Sequence, residues 1–233
     1  MTELAAPGAA LSASATTTVV ALFISAPIAA FRVPQAREYL ESFPCPPPAT
    51  VYGALLSLVG ETARFAHAGA EVAIAQLSHP ARSVVLRTLW RVKDPHKNPG
   101  TDENKRPDFQ ELLCDVRLAV WVRAGQAESA QPSLAERVVS ALAIPSAVRR
   151  FGGLALGEST HLIDELRPLR GDDSETAVFL VRAPDGPLAL PHLAGPRRLG
   201  ANWLGAMRSR GAPTVECAGG RLLDSHRTVI LEY

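Results

Sequence analysis

The sequence has 233 residues, of which 47% are hydrophobic and 20% are charged, so it can bury a core as one compact unit or as a domain with a small companion. It contains 24 Lys and Arg residues against 23 Asp and Glu residues, and its net charge is +1. Total charge therefore neither requires nor excludes a polyanionic partner, and only the distribution of charge can indicate one.

The cysteines and the first apolar segment indicate the compartment. Three cysteines, odd in number and far apart, exclude a disulfide framework and a zinc-ligand pattern: Cys45, Cys114 and Cys217. The apolar residues 19–30 are too short to span a bilayer, Pro27 interrupts them, and no Lys or Arg precedes Arg32, as a signal peptide would require. We therefore expect a cytoplasmic protein without a membrane partner.

The first predicted elements are a strand and a helix. β-Branched and aromatic residues over 17–24 predict the strand, which Pro27 should end. After a proline-rich segment, Pro48 can begin a helix because its missing N–H would have no partner there. Apolar residues at helical spacing extend this helix to about Val59, and Gly60 should end it.

Further strand patterns predict a long β-hairpin. They cover residues 71–77, 83–92 and 112–122. The intervening residues 93–108 are polar and charged, with several proline and glycine residues. The simplest arrangement is a β-hairpin over residues 83–122 with a flexible, charged tip.

A second helix and a glycine-rich stretch follow the hairpin. Ser133 and Glu136 have the spacing of a capping box, which begins a helix, and Pro145 should end that helix. Residues 151–157 then read Phe-Gly-Gly-Leu-Ala-Leu-Gly. Beyond them, strand-like runs and one turn signal lie at residues 177–181, 184–186 and 228–231.

The order strand, helix, strand, strand, helix, strand is that of ferredoxin-like (RRM-like) folds. We therefore predict an α+β protein in three parts. Residues 1–17 should form a flexible tail, and residues 18–157 a ferredoxin-like domain that carries the hairpin over about 83–122. Residues 158–233 should form a small β-rich C-terminal portion. Because many unrelated functions share this superfold, the order of elements does not indicate a function.

Two segments carry a family pattern. The tetrapeptide 31–34, FRVP, precedes the segment 42–61, SFPCPPPATVYGALLSLVGE, in which three prolines lead into a helix of small residues. Farther along, Arg149 and Arg150 precede the glycine-rich residues 151–157. These segments resemble the opening and the arginine-led glycine-rich loop of CRISPR-associated protein family five, which belongs to the repeat-associated mysterious protein (RAMP) superfamily.

The resemblance implies a subunit of the type I Cascade complex, in antiviral defence or RNA-guided DNA targeting. Such a subunit is non-catalytic, holds the 5′ handle of the guide RNA (crRNA), and meets target DNA in the assembled complex. Its protein partners would be a backbone RAMP subunit and the large subunit of Cascade. The family's β-hairpin thumb wedges against the RNA and packs on the backbone subunit, so residues 83–122 are the candidate thumb. No metal or organic cofactor is implied.

Basic residues concentrate in the hairpin and at the glycine-rich loop. From Arg82 to Arg106 there are seven basic and three acidic residues, an excess of about four positive charges. A solvated surface loop is the alternative for this segment. Glycine lets a backbone approach a phosphate closely because it has no Cβ. The predicted RNA-binding residues are Arg32, Arg91, Lys93, His96, Lys97, Lys105, Arg106, Arg149, Arg150, Gly152 and Gly153.

Two other functions stay open. A metal-independent endoribonuclease that processes pre-crRNA would use His, Lys or Tyr side chains, and the sequence offers His96, Lys97 and Tyr52. The other is a ferredoxin-like ligand-binding protein unrelated to RNA. Its binding would hardly change with salt, whereas phosphate recognition weakens steeply as salt rises. The remaining histidines show no metal-ligand spacing and are expected to be surface or structural residues.

Overall fold

The structure is a computed structural model and describes residues 18–90, 93–174, 177–181, 188–191, 203–207 and 231–232. Some sequence predictions lie outside these residues, namely the tail 1–17, Arg91, the turn at 184–186 and most of the run 228–231. Over the described residues the chain forms a mixed α/β fold, with one ten-stranded sheet and two α-helices.

The sheet is antiparallel except for one short pairing. The helices are α1 (Pro48–Leu58) and α2 (Leu134–Ala143). The strands are β1 (Val19–Ala29), β2 (Tyr39–Leu40), β3 (Glu71–Gln76), β4 (Ala81–Trp90), β5 (Lys105–Arg123), β6 (Glu165–Pro168), β7 (Val178–Val181), β8 (Leu188–Pro191), β9 (Trp203–Met207) and β10 (Leu231–Glu232). Their order is β6-β1-β5-β3-β7-β9-β8, with β10 beside β3, and with β4 and the parallel β2 beside β5.

Both helices pack on one face of the sheet. Side chains alternate across a strand, so every second residue of the central strands faces the helices. The main hydrophobic core includes Leu22, Ile24, Val51, Leu55, Val72, Leu118, Val120, Leu134 and Val138. Burial of each large apolar side chain contributes about 1.5–3 kcal/mol. A smaller cluster covers the opposite face, where the Trp121 and Phe179 rings stack with centroids 5.5 Å apart.

The predictions for the two helices are confirmed. α1 begins at Pro48, and Gly60 follows its end with a φ of 69°, in the left-handed region that favours glycine. α2 follows the predicted capping box: the Glu136 N–H donates to Ser133 Oγ, and the Ser133 N–H donates to Glu136 Oε2. These Ser133 hydrogen bonds hold the pKa of Glu136 below its ordinary value.

β1 is longer than predicted. It does not end at Pro27 but continues to Ala29, and its pairing with β5 passes over Pro27 and Asp115. Asp115 has a φ of 63°, so the ladder is irregular there. A proline has no N–H to give to a sheet and is tolerated at such an irregularity. Beyond residue 157, β6 adds to the sheet beside β1.

The hairpin is shorter than predicted. β4 pairs with the first part of β5, from Trp90–Lys105 to Ala81–Cys114. The rest of β5 lies between β1 and β3, where its alternate residues are buried in the core. Residues 115–122 of the predicted thumb therefore belong to the centre of the sheet, because one continuous strand takes part in both pairings. We call β4, the tip at residues 93–104 and residues 105–112 the arm.

Candidate nucleic-acid interface

The glycine-rich loop, residues 148–157, is fixed at both ends by close backbone contacts. A Cβ on Gly60 would lie 2.5 Å from the Arg149 carbonyl oxygen, so only glycine allows the loop to approach the end of α1. Gly157 has a φ of 97°, and a Cβ there would lie 2.6 Å from the Ala30 carbonyl oxygen. The loop therefore runs from the end of α1 to the end of β1.

An open pocket of about 760 Å³ lies between α1 and the loop. Small, exposed or half-buried residues of α1 form one wall, and a Cβ on Gly53 would meet nothing within 4 Å. Arg64, Arg149 and Arg150 also line the pocket. Among the described residues, none makes a hydrogen bond or an ion pair with the side chain of Arg149 or Arg150. The loop therefore gives this pocket a positive end.

A partly buried ionic network adjoins the pocket, and Glu61 belongs to both. Arg137 donates to Glu61 Oε2 over 2.7 Å and to His67 Nε2 over 2.8 Å, which leaves His67 Nδ1 to donate to Glu128 Oε1 over 2.7 Å. The hydrogen bond from Arg137 holds the pKa of Glu61 below its ordinary value, so Glu61 is a paired carboxylate. The interpretation of His67 as a structural residue is confirmed, since its side chain is buried.

The basic residues of the arm are mostly paired. Of the seven that the sequence places there, Arg91 lies outside the described residues and Lys105 has no acidic partner among them. The other five form ion pairs, which are Arg82–Glu111, Arg87–Glu158, Lys93–Glu103, Lys97–Asp102 and Arg106 with Glu38 and Asp108. The count of seven basic and three acidic residues stands, but acidic residues from outside residues 82–106 pair with three of the basic residues and offset much of the excess.

The arm tip is organised around Asn104. The Asn104 side chain is buried and accepts from the backbone N–H groups of Lys93 and Asp94 over 2.8 and 2.9 Å. Its amide donates to the carbonyl oxygens of Asp94 and Lys97 over 2.9 and 3.0 Å. One side chain thus satisfies several backbone groups of the tip and gives it a defined conformation.

One face of the arm is mainly apolar and open to solvent, and it also carries Lys105, which lies opposite Trp90. Leu86 lies opposite Phe109, and Phe109 lies opposite Tyr39 of β2, so the three side chains form a row across three strands. Val84 and Trp90 extend this face along β4. We call these five residues the apolar arm face, and each is between 42% and 72% exposed. Large contiguous apolar patches of this kind mark sites of interaction.

Glu158 joins the arm to the end of the glycine-rich loop. Its two carboxylate oxygens accept from Arg87 Nη1 and Gln110 Nε2, each over 2.7 Å. Burial raises the pKa of Glu158, but the hydrogen bonds from Arg87 and Gln110 outweigh this and leave the pKa below its ordinary value. Arg87 also donates to Gln110, so the three side chains form one connected group.

The structure divides the predicted RNA-binding residues into separate groups. Arg149, Arg150, Gly152 and Gly153 lie in the loop. Lys93, His96, Lys97, Lys105 and Arg106 lie at the tip or at the start of β5. Arg32 is exposed just after β1, and its guanidinium donates to the Ala36 carbonyl oxygen over 3.4 Å. Sequence reasoning did not select Phe151, which is 99% exposed beside Arg150, and no local pattern reports such exposure.

The candidate residues for cleavage do not share the pocket. Tyr52 lines it, whereas no histidine or lysine of the described residues does. Within the described ranges there is no group of three His, Cys, Asp or Glu residues that could hold a metal ion. Burial raises the pKa of the Cys45 thiol to about 12, which makes this thiol unreactive.

The helices of the described part are too short or too polar to cross a membrane.

Comparison with known proteins places the chain in a family. No family model matches the sequence. CRISPR-associated protein Cas5 of Myxococcus xanthus (strain DK1622) is 45% identical over 174 residues, which cover 74% of this chain and 81% of that protein. Two solved structures are more distantly similar. One, titled a CRISPR RNA-guided surveillance complex, has a TM-score of 0.45 and 13% identity, and the match covers 63% of this chain and 60% of that chain.

The other solved structure, titled a crystal structure of Cas protein, has a TM-score of 0.49 and 15% identity, and the match covers 82% of this chain and 93% of that chain. The relative from Myxococcus xanthus is by itself close enough in sequence, and long enough in coverage, to confirm the resemblance that residues 31–61 and the arginine-led loop predicted. The chain therefore belongs to the Cas5 family of CRISPR-associated proteins.

Proposed function

We propose that the chain is a non-catalytic subunit of a type I Cascade complex and that it holds the 5′ handle of the guide RNA. Membership in the Cas5 family supports the complex. The observation that carries the RNA-binding part is that Arg149 is exposed and Arg150 is half-buried, both without partners among the described side chains, beside the glycines of the loop. Guanidinium groups in this state can bind phosphates without first breaking an ion pair.

The apolar arm face supports a different partner for the arm. The charged residues of the arm are largely paired. Its exposed apolar side chains are stabilised when they are buried against a protein surface, whereas RNA presents a charged backbone. The backbone RAMP subunit is the partner that we assign to this face. In this proposal the loop binds RNA while the arm binds protein, and Glu158 connects the two regions through its hydrogen bonds with Arg87 and Gln110. Target DNA and the large subunit would join in the assembled complex.

We also propose that the sheet and its two helices form a ferredoxin-like domain. Counted without β2 and the arm strand β4, the first four strands along the chain are β1, β3, β5 and β6. Their order in the sheet is fourth, first, third, second, and all neighbours are antiparallel. This order, with both helices on one face, is that of the split βαβ motif and supports the proposal.

The positions of the candidate catalytic residues support a subunit that performs no cleavage. A ribonuclease site would need its acid, base and charge-stabilising groups within hydrogen-bond reach of one phosphate. Tyr52 lines the pocket, but His96 lies at the arm tip, and Lys97 Nζ is 3.8 Å from Asp102 Oδ2.

The described cysteines, Cys45 and Cys114, are free thiols, which suits a reducing compartment such as the cytoplasm.

Salt-dependent RNA binding tests the proposal. The full chain is titrated with RNA that carries the handle of the associated repeat, across a range of KCl concentrations. The plot of log K against log salt has a negative slope, and each phosphate contact with single-stranded RNA contributes about 0.7 to its magnitude. The double substitution of Arg149→Gln and Arg150→Gln should therefore reduce the magnitude of the slope by about 1.4. Lys93→Gln with Lys97→Gln is the matched control, since both lysines are paired, and should change the slope less. Equal slopes for all three proteins would refute the assignment.

A further inference from the structure

Phe151 is the least protected large apolar side chain of the described residues. It is 99% exposed, between Arg150 and Gly152, and it lines the pocket between α1 and the loop. Gly152 has a φ of 77°, and a Cβ there would meet nothing within 4 Å, so the loop turns sharply in open solvent right after the ring. The ring therefore has no packing role in the fold, and a bound ligand would be stabilised by burying it.

We propose that this pocket takes one unstacked nucleotide, with the base on the Phe151 ring and the phosphate on Arg149 and Arg150. The inference rests on the proposed function and adds a specificity-determining residue to it. Single-stranded RNA is recognised by splayed bases that stack on aromatic side chains. A basic surface with an interleaved aromatic ring is the arrangement that such recognition needs.

The size and walls of the pocket fit a nucleotide. Its volume of about 760 Å³ lies within the usual range for sites that hold small organic molecules. Ala49, Gly53 and Ser57 are spaced by four residues and so share one face of α1. These side chains are short, which leaves a flat wall that a planar base can approach. Ser57 and Thr62 supply hydroxyl groups along the pocket for the base edge.

Base-by-base fluorescence tests the proposal. Handle RNAs with 2-aminopurine at successive positions are bound to the full chain, and stacking should quench one position strongly. Phe151→Ala should abolish that quenching and weaken RNA binding about 5- to 150-fold, with the salt slope unchanged because no phosphate contact is lost. Phe151→Trp should restore both. If no position is quenched while Arg149→Gln still lowers the salt slope, the stacking site is refuted and the proposed function stands. If the wild type binds no RNA, the proposed function itself fails.

A second variant fills the pocket from the opposite wall. Gly53→Leu should keep the fold, because a Cβ at this helical position meets nothing within 4 Å, but its side chain occupies the space for the base. It should weaken RNA binding as much as Phe151→Ala, and Gly53→Ala, the matched control, should weaken binding much less. Unchanged binding by Gly53→Leu overturns the proposal.

Competition separates the two possible sources of the nucleotide. A nucleotide within an RNA chain is held by flanking phosphates as well, so free AMP or UMP at millimolar concentration should not displace the handle RNA. It should also leave the thermal stability of the chain unchanged. Displacement together with a raised melting temperature would instead show a site for a free nucleotide and overturn the assignment to the guide RNA.

Discussion

The arm holds most of its arginines and lysines in ion pairs, whereas the glycine-rich loop presents Arg149 and Arg150 without acidic partners among the described residues. Both regions are basic when charges are counted along the chain. The pairs Arg82–Glu111 and Arg87–Glu158 join residues far apart in sequence, so such a count misses them. What a phosphate can use is the charge left after pairing, and among the described residues the loop keeps both of its arginines unpaired, whereas the arm keeps Lys105.

The two regions also differ in how they expose apolar surface. The arm has a row of apolar side chains across three strands, with Leu86 and Phe109 at its centre. The loop has one isolated ring, Phe151, beside cations. A broad apolar face suits another protein surface, and a single ring among cations suits a base. This difference supports our proposal that the arm contacts protein and the loop contacts RNA.

The largest expected effect concerns how the loop is held. Gly60→Ala should lower the free energy of unfolding by about 2–4 kcal/mol, because φ is 69° and the new Cβ would clash with the Arg149 carbonyl oxygen. Gly53→Ala should instead raise it by up to about 1 kcal/mol, since its Cβ has open space and alanine favours a helix. Urea unfolding of both variants measures the difference. Equal stability would mean that the loop is not fixed against α1.

The next effect tests the arm as a protein-binding surface. Leu86→Asp places a charge at the centre of the apolar arm face and should weaken association with the backbone subunit at least tenfold, as measured by co-purification and by titration. The isolated chain should unfold at an unchanged urea concentration, because Leu86 is 60% exposed. Val139→Asp, at an exposed position on α2, is the control and should associate normally. Normal association of both variants would transfer the protein contact to another surface.

Local signals in the sequence predicted much of this fold. Pro48, Gly60 and the capping box of Ser133 act within one helical turn, so the bounds of α1 and α2 followed from them. The arm boundary did not follow, because β5 has one continuous strand pattern and only its neighbours divide it between arm and core.

For the candidate site, Arg149, Arg150 and the two glycines after Phe151 were predicted from composition and the family pattern. The apolar arm face and the pairing of the arm lysines were not, since the first depends on which strands are neighbours and the second on the conformation of the tip. Lys97 is an example: Asp102 is near in sequence, yet only the tip conformation around Asn104 brings the two side chains together. The backbone conformation of the tip decides this pairing, and a residue pattern cannot report it.

A smaller effect concerns the link between the two regions. Glu158→Gln removes the charge that Arg87 and Gln110 share, and it should lower the free energy of unfolding by about 1 kcal/mol, because the Arg87–Glu158 pair is about one-third exposed. A double-mutant cycle with Arg87→Met measures the coupling directly. Additive effects of the two substitutions would show that the arm and the loop are energetically independent.

The smallest effect is a pH dependence at the same end of the loop. His161 Nδ1 accepts from the Ala30 N–H over 3.2 Å, and burial lowers the pKa of His161 below its ordinary value of 6.5, with Glu158 opposing the shift and Arg87 adding to it. The folded state therefore binds the His161 proton less tightly than the unfolded state does. The contribution of neutral His161 to the free energy of unfolding is complete above pH 6.5 and declines as the pH falls below it. His161→Asn keeps an acceptor for Ala30 and cannot be protonated. Its unfolding free energy should change less than that of the wild type between pH 7 and pH 5, in urea titrations at each pH, and parallel pH profiles would show that His161 is not the group responsible.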